Sequence, residues 1–203
     1  MTLRLLRSLA VLLLPTLAWA GGGPLGIDHR WNYDNSGIWS RNNQDLLRYG
    51  GLLADIGFAL WEGGESRIGK SAWQSVDSVL LSGIGAETGK RVFGRVRPRD
   101  TDNPSEWRQG GRSFPSGEVA ETSAIITPYV LEYAHDHPLA WVLELLPAYD
   151  SVARMKVQAH WQTDVLAGWA LGTATGYYAH QRHTPFTLAI MPHAVQAGWK
   201  KQF

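Results

Sequence analysis

The chain has no cysteine and only three methionines among its 203 residues. The first absence removes thiol catalysis, thiolate metal sites and any disulfide framework, so the fold rests on packing alone. A surplus of one charge is missing too. Nineteen Lys and Arg stand against 18 Asp and Glu, for a net charge of +1. A chain without its first 20 residues loses Arg4, Arg7 and no acid, and carries −1. Neither value suits a nucleic-acid binder, so no nucleic acid is expected as a partner. Long uncharged helical runs are scarce in the body of the chain. The stretch between Asp164 and His180 holds 15 residues, short of the ~20 that cross a bilayer.

What is present begins with a basic start (Arg4, Arg7), an apolar run from Val11 to Leu14 and Ala18-Trp19-Ala20 ahead of three glycines. That is the pattern of a cleavable secretory signal ending after Ala20, and it predicts export to a periplasm-type compartment. Residues 21–203 then form one domain, large enough for a real core. Ten tryptophans are a heavy load of large rings, expected mainly in that core.

Gly21 to about Arg41 reads as an irregular arm packed on a body. Apolar residues recur with helical spacing from about Gln44 to Trp61. They do so again at Ile68, Ala72, Trp73, Val76, Val79, Leu80 and Ile84, in a helix running to about Lys90. Residues 95–114 lack periodicity and carry Pro98, Pro104 and Gly110-Gly111, the marks of a long functional loop. Helical patterns resume at Gly117 to Tyr133, with Pro128 inside, at Leu139 to Leu146, at Asp150 to Ala159 and at Trp161 to His180. In the last of these Gly168, Gly172 and Gly176 lie four apart, a bare ridge for another helix. Thr187 to Ile190 and Val195 to Trp199 alternate as strands do. The expected fold is all-α, a helical bundle, with a short β-hairpin or arm at about 186–203.

Three segments suit the handling of a phosphoryl group. Lys90 and Arg97, the latter just before Pro98, supply a point charge and a two-pronged donor for phosphate oxygens. Ser116-Gly117-Glu118 leads straight into a helix, whose unpaired N–H groups and positive end attract anions. Arg154 precedes His160, and Asp164 follows it; if the chain is helical there, Asp164 lies one turn on and its carboxylate can hold one imidazole nitrogen, leaving the other as a nucleophile. Taken singly, each segment also has an ordinary structural explanation.

In this order the three segments resemble the tripartite signature of the phosphatidic acid phosphatase type 2 superfamily. That superfamily includes bacterial nonspecific acid phosphatases and vanadium haloperoxidases. The signature region spans residues 90–164. The resemblance implies a helical bundle, no cofactor and no required metal. It implies that His160 attacks phosphorus, that Asp164 orients it, and that Lys90, Arg97, Ser116, Gly117 and Arg154 hold the phosphate oxygens. The expected partner is a phosphorylated small molecule or lipid headgroup, with membrane-surface association left open.

Two positions depart from the family's pattern. Ala153 stands where serine is usual, and Glu118 replaces the histidine that protonates the leaving oxygen. Glu118 is therefore expected either to act as general acid, or to be dispensable because the leaving group is good, as in a diphosphate. The third possibility is a non-catalytic phosphate or headgroup binder, or a structural envelope protein.

Overall fold

The structure, a computed structural model, describes residues 22–182 and the backbone of two strands beyond them. The expected signal segment, 1–20, lies outside the described residues. Helix α1 (Arg41–Asp45) passes through a π-helical turn (Leu46–Gly50) into α2 (Gly51–Glu62). The Ser40 hydroxyl caps α1 by accepting from the Asn43 N–H. Helix α3 (Arg67–Phe93) starts with the Ser66 hydroxyl accepting from the Gly69 N–H, and stops at Gly94 in the left-handed conformation, where a Cβ would be strained. After the loop come α4 (Gly117–Tyr133), a 3-10 stretch (Pro138–Glu144), α5 (Leu145–Lys156) and α6 (Gln162–His180). Strands β1 (Phe186–Met191) and β2 (Ala194–Trp199) form an antiparallel hairpin with Phe186 opposite Trp199. The bundle and hairpin expected from the sequence are both present.

Helices α3, α4 and α6 make the centre. The glycine ridge of α6 lies directly on α4: a Cβ at Gly168 would stand 2.4 Å from the Ser116 carbonyl oxygen, and one at Gly172 2.2 Å from that of Ala120. Only hydrogen at those positions allows the two backbones to touch.

The interior is made of small residues. More than half of the buried apolar side chains are alanine, with Val119, Ile126, Val130, Val157, Trp161 and Val165 as the larger members. Helix α3 buries Ser71, Ala72, Ser75, Ser78, Ser82 and Ala86. Two of its hydroxyls find partners across the helices, Ser78 Oγ with Thr175 Oγ1 at 3.0 Å and Ser75 donating to Asp55 at 2.8 Å, while Ser71 and Ser82 donate to carbonyls within α3. The large apolar residues are displaced outward. Of the apolar positions read along α3, Ala72 is buried, whereas Ile68, Leu80 and Ile84 are exposed. The expectation that tryptophans fill the core is likewise corrected. Trp161 is buried, but Trp61 is 87% and Trp141 59% exposed, because closely spaced helices leave no room for indole rings between them.

Candidate active site

The loop after α3 folds back so that both of its ends reach the start of α4. Gly94 accepts backbone bonds from Gln109 and Gly111, and the Ser113 N–H bonds to the Arg95 carbonyl. The turn delivers Ser116 to the N-cap of α4, where its N–H donates to the Asp164 carbonyl at 2.9 Å. Gly117 lies against the last turn of α3, so close that a Cβ would meet Lys90 Nζ at 2.8 Å. Two of the three segments thus meet through Lys90 and Gly117, and the third joins them through Asp164.

Four buried side-chain polar atoms are left without partners among the described residues: Trp31 Nε1, Glu121 Oε1, Ser116 Oγ and Arg154 Nε. Such orphans cost about 1–3 kcal/mol each, and the last two belong to residues expected to hold phosphate. Lys90 and Arg97 crowd the same region. Burial, then the charge of Arg97, pushes the Lys90 ammonium below its ordinary value; burial, then Arg99, does the same to Arg97. A cationic cradle of this kind is stabilised by an incoming anion.

His160 sits just after α5 and is 3% exposed. Its Nδ1 lies 2.7 Å from the Ser113 carbonyl oxygen. A carbonyl only accepts, so Nδ1 carries the hydrogen and Nε2 is left with its lone pair. Nε2 makes no hydrogen bond among the described residues. Burial lowers the imidazole from its ordinary 6.5, and Arg97 and Lys90 lower it further against the pull of Asp164. The ring is therefore neutral at physiological pH.

Asp164 is placed differently from the expectation. Its Oδ2 is 3.8 Å from His160 Nδ1, an ion-pair contact and not a hydrogen bond. Helix α6 begins at Gln162, so His160 lies outside it and the carboxylate turns to its own helix start. Asp164 accepts from the Trp161 N–H at 2.8 Å, from Ser113 Oγ at 2.5 Å and from Arg95 Nη1 at 2.6 Å. Burial alone would raise its carboxyl; His160, Arg95 and Ser113 outweigh that and hold it below the usual carboxylate range. Asp164 therefore acts on His160 through charge, while Ser113 fixes the tautomer.

Glu118 lies in the first turn of α4 facing arginines. Its carboxylate accepts from Arg41 at 3.0 Å, pairs with Arg154 at 2.9 Å and approaches Arg48 at 3.8 Å. Gln44, 1% exposed, ties the group together through one oxygen that accepts from both Arg154 and Arg41. Beneath it Asp150, held by Thr122 at 3.3 Å, is pushed up to about 7 by burial and then by the Glu118 charge. Sequence reasoning missed Arg41, Gln44, Arg48 and Asp150, whose only signal is a mixed polar composition because they reach the site from outside the three segments. Ser113, which opens the second segment, was given no role there.

A profile of the PAP2 superfamily matches residues 71–187, which contain all the expected site residues. The chain belongs to the PAP2 superfamily. It is 31% identical over 136 residues to a lipid A 1-phosphatase of Porphyromonas gingivalis, covering 66% of this chain and 28% of that protein. It is 29% identical over 110 residues to an undecaprenyl-diphosphatase of Sulfolobus acidocaldarius, covering 52% of each. The chain thus spans about half or less of the relatives it matches. A crystal structure of Aquifex aeolicus LpxE aligns with 74% of this chain and 99% of its own, at 18% identity and a TM-score of 0.45.

Proposed function

We propose that this PAP2 protein is a phosphatase that hydrolyses a lipid or lipid-linked phosphate, monoester or diphosphate, through a phosphohistidine at His160. The observation that carries the reading is one arrangement: a neutral buried imidazole with a bare Nε2, beside the orphaned Ser116 Oγ and Arg154 Nε and the crowded cations Lys90 and Arg97. The Nε2 lone pair attacks phosphorus, the P–O bond to the leaving group breaks, and that oxygen departs with the electron pair and takes a proton. Water then attacks the phosphohistidine, releasing phosphate and restoring the imidazole. Lys90, Arg97, Arg154, Ser116 and the N–H groups opening α4 at Gly117 hold the equatorial oxygens as charge spreads over them.

The proton for the leaving oxygen is assigned to Glu118, which is freed from Arg154 when the substrate's phosphate takes that guanidinium, takes up a proton from solvent, passes it to the leaving oxygen and, as carboxylate again, receives one from the water that attacks the phosphohistidine. The ion pairs of Glu118 with Arg41 and Arg154 favour a second reading for diphosphates, whose leaving group needs little acid help. The signal-like pattern of the N-terminal segment supports a periplasmic setting, and the lipid names of the relatives and the exposed apolar residues of α2 and α3 support a membrane surface as the place of action.

The test is turnover of an aryl phosphate and of a diphosphate between pH 4 and 8, with acid-labile phosphoenzyme trapped in the same samples. His160→Ala is expected to abolish turnover and trapping; retention of either refutes the nucleophile. Glu118→Gln is expected to slow the monoester roughly 100-fold and the diphosphate far less. Phosphate binding without any phosphoenzyme in the unaltered chain would make it a headgroup binder.

A further inference from the structure

Outside the phosphate cradle, one buried charge chain has no role in the signature. Arg95 is fully buried, with its guanidinium 4.4 Å from the ring centre of Trp107 and 5.5 Å from that of Trp161. It donates to Asp164 at 2.6 Å, to Thr163 Oγ1 at 2.7 Å and to the Pro104 carbonyl. On its far side it meets Asp28 at 2.6 Å, and both members of that pair have 0% side-chain exposure. Asp28 comes from the N-terminal arm. A bridge with Gly22 folds the arm back on itself, and Asp28 accepts from the Thr163 N–H at 2.8 Å and from its hydroxyl at 2.7 Å. Gly23, at φ +76°, passes so close that a Cβ would fall 2.0 Å from Asp28 Oδ2.

We infer that Asp28 is a positioning residue of the active site, which neutralises Arg95 so that Asp164 keeps its negative charge for His160. The inference rests on the phosphatase reading for its kinetic consequence only. A carboxylate shared wholly with an unbalanced buried guanidinium offers little field to a ring 3.8 Å away. With Asp28 in place the chain Asp28–Arg95–Asp164 carries one net negative charge, and that charge supports the imidazole as it becomes cationic on phosphorylation at Nε2. Of the charged groups that act most on His160, Lys90 from α3 and Arg97 from the loop are positive and Asp164 is the anion that favours the cationic ring; the Glu118 carboxylate, which shares the site, is taken up by Arg41 and Arg154. A buried ion pair is a weak source of net stability, which fits a role in tuning better than one in holding the arm.

Two readouts test this on the full chain. One is the pH dependence of kcat/KM; the other is the NMR titration of the His160 imidazole in the substrate-free protein, assigned by its loss in His160→Gln. Asp28→Asn leaves Arg95 unbalanced. It is expected to lower kcat roughly 10- to 100-fold with KM unchanged, and to move both the acidic limb and the imidazole titration to lower pH. Asp28→Glu, which keeps the charge, is expected to restore both. Arg95→Gln leaves two carboxylates and is expected to shift both upward, which carries the test should Asp28→Asn fail to fold. If the limb and the titration stay in place in the folded variants, whatever happens to turnover, Asp28 is only a packing element and the inference falls. If the titration moves while no variant, nor the unaltered chain, turns over phosphate, the inference stands and the phosphatase reading fails.

Discussion

At His160, burial and the two neighbouring cations keep the ring neutral below its ordinary 6.5. The acidic limb of kcat/KM is therefore expected below pH 6.5, and a limb above that value would show that Asp164 dominates instead. Asp150 gives a second prediction with the opposite sign. Its folded value of about 7 lies above the ordinary 3.8, so the folded state holds a proton that the unfolded chain releases between those values. Stability from this group is present below pH 3.8 and is lost as the pH rises through about 7, a swing on the order of 4 kcal/mol. Asp150→Asn removes the swing, so urea melts should show it gaining on the unaltered chain from pH 4 to pH 8. The seven candidate-site residues that carry the family signature could be named from the sequence because each lies at a fixed spacing in a short segment. The part of Ser113 could not, because its carbonyl and hydroxyl meet residues more than 45 positions away, and neither could those of Asp28 and Arg95. Among seven basic residues between Lys90 and Arg112, nothing local marks Arg95 as the one that is fully buried.

Helix α3 was legible to within a few residues from its apolar period, and α6 from the glycines that recur four apart along it. The 3-10 stretch Pro138–Glu144 passed for a helix in the sequence because both conformations bring residues three apart onto one side. The face of α3 was harder to read, since periodicity locates an apolar stripe and does not say whether it faces in or out. The glycine ridge was the most informative element feature, and it links fold to site. Gly168 lies against Ser116, the residue that opens α4. Gly168→Ala is expected to push that helix start away from His160, costing roughly 1–3 kcal/mol by overpacking together with most of the turnover. Gly172→Ala, one turn further from the site, should cost similar stability while sparing more activity; equal activity losses in the two variants would refute the link.

On the scale of the molecule, no helix among the described residues is long and apolar enough to cross a membrane, yet Leu53 is 70%, Leu60 68%, Trp61 87% and Ile84 67% exposed. These residues of α2 and α3 are the surface on which the proposed membrane association rests. Replacing Leu53 and Trp61 by Ser should leave turnover of a soluble aryl phosphate unchanged. It should weaken vesicle binding, followed by co-sedimentation, by about tenfold for each side chain; unchanged binding would remove the surface from the proposed function. Neither sequence pattern nor composition foretold this inversion of small residues inside and large ones outside. It has a calorimetric consequence. Heat capacity rises on unfolding as apolar surface is hydrated and falls as polar groups are, with typical proteins near 12–15 cal/mol/K per residue. A core of alanine, glycine and hydrogen-bonded serine hides little of the first and much of the second. Its increment should lie below that range, and the stability curve should be correspondingly flat, changing slowly with temperature on either side of its maximum.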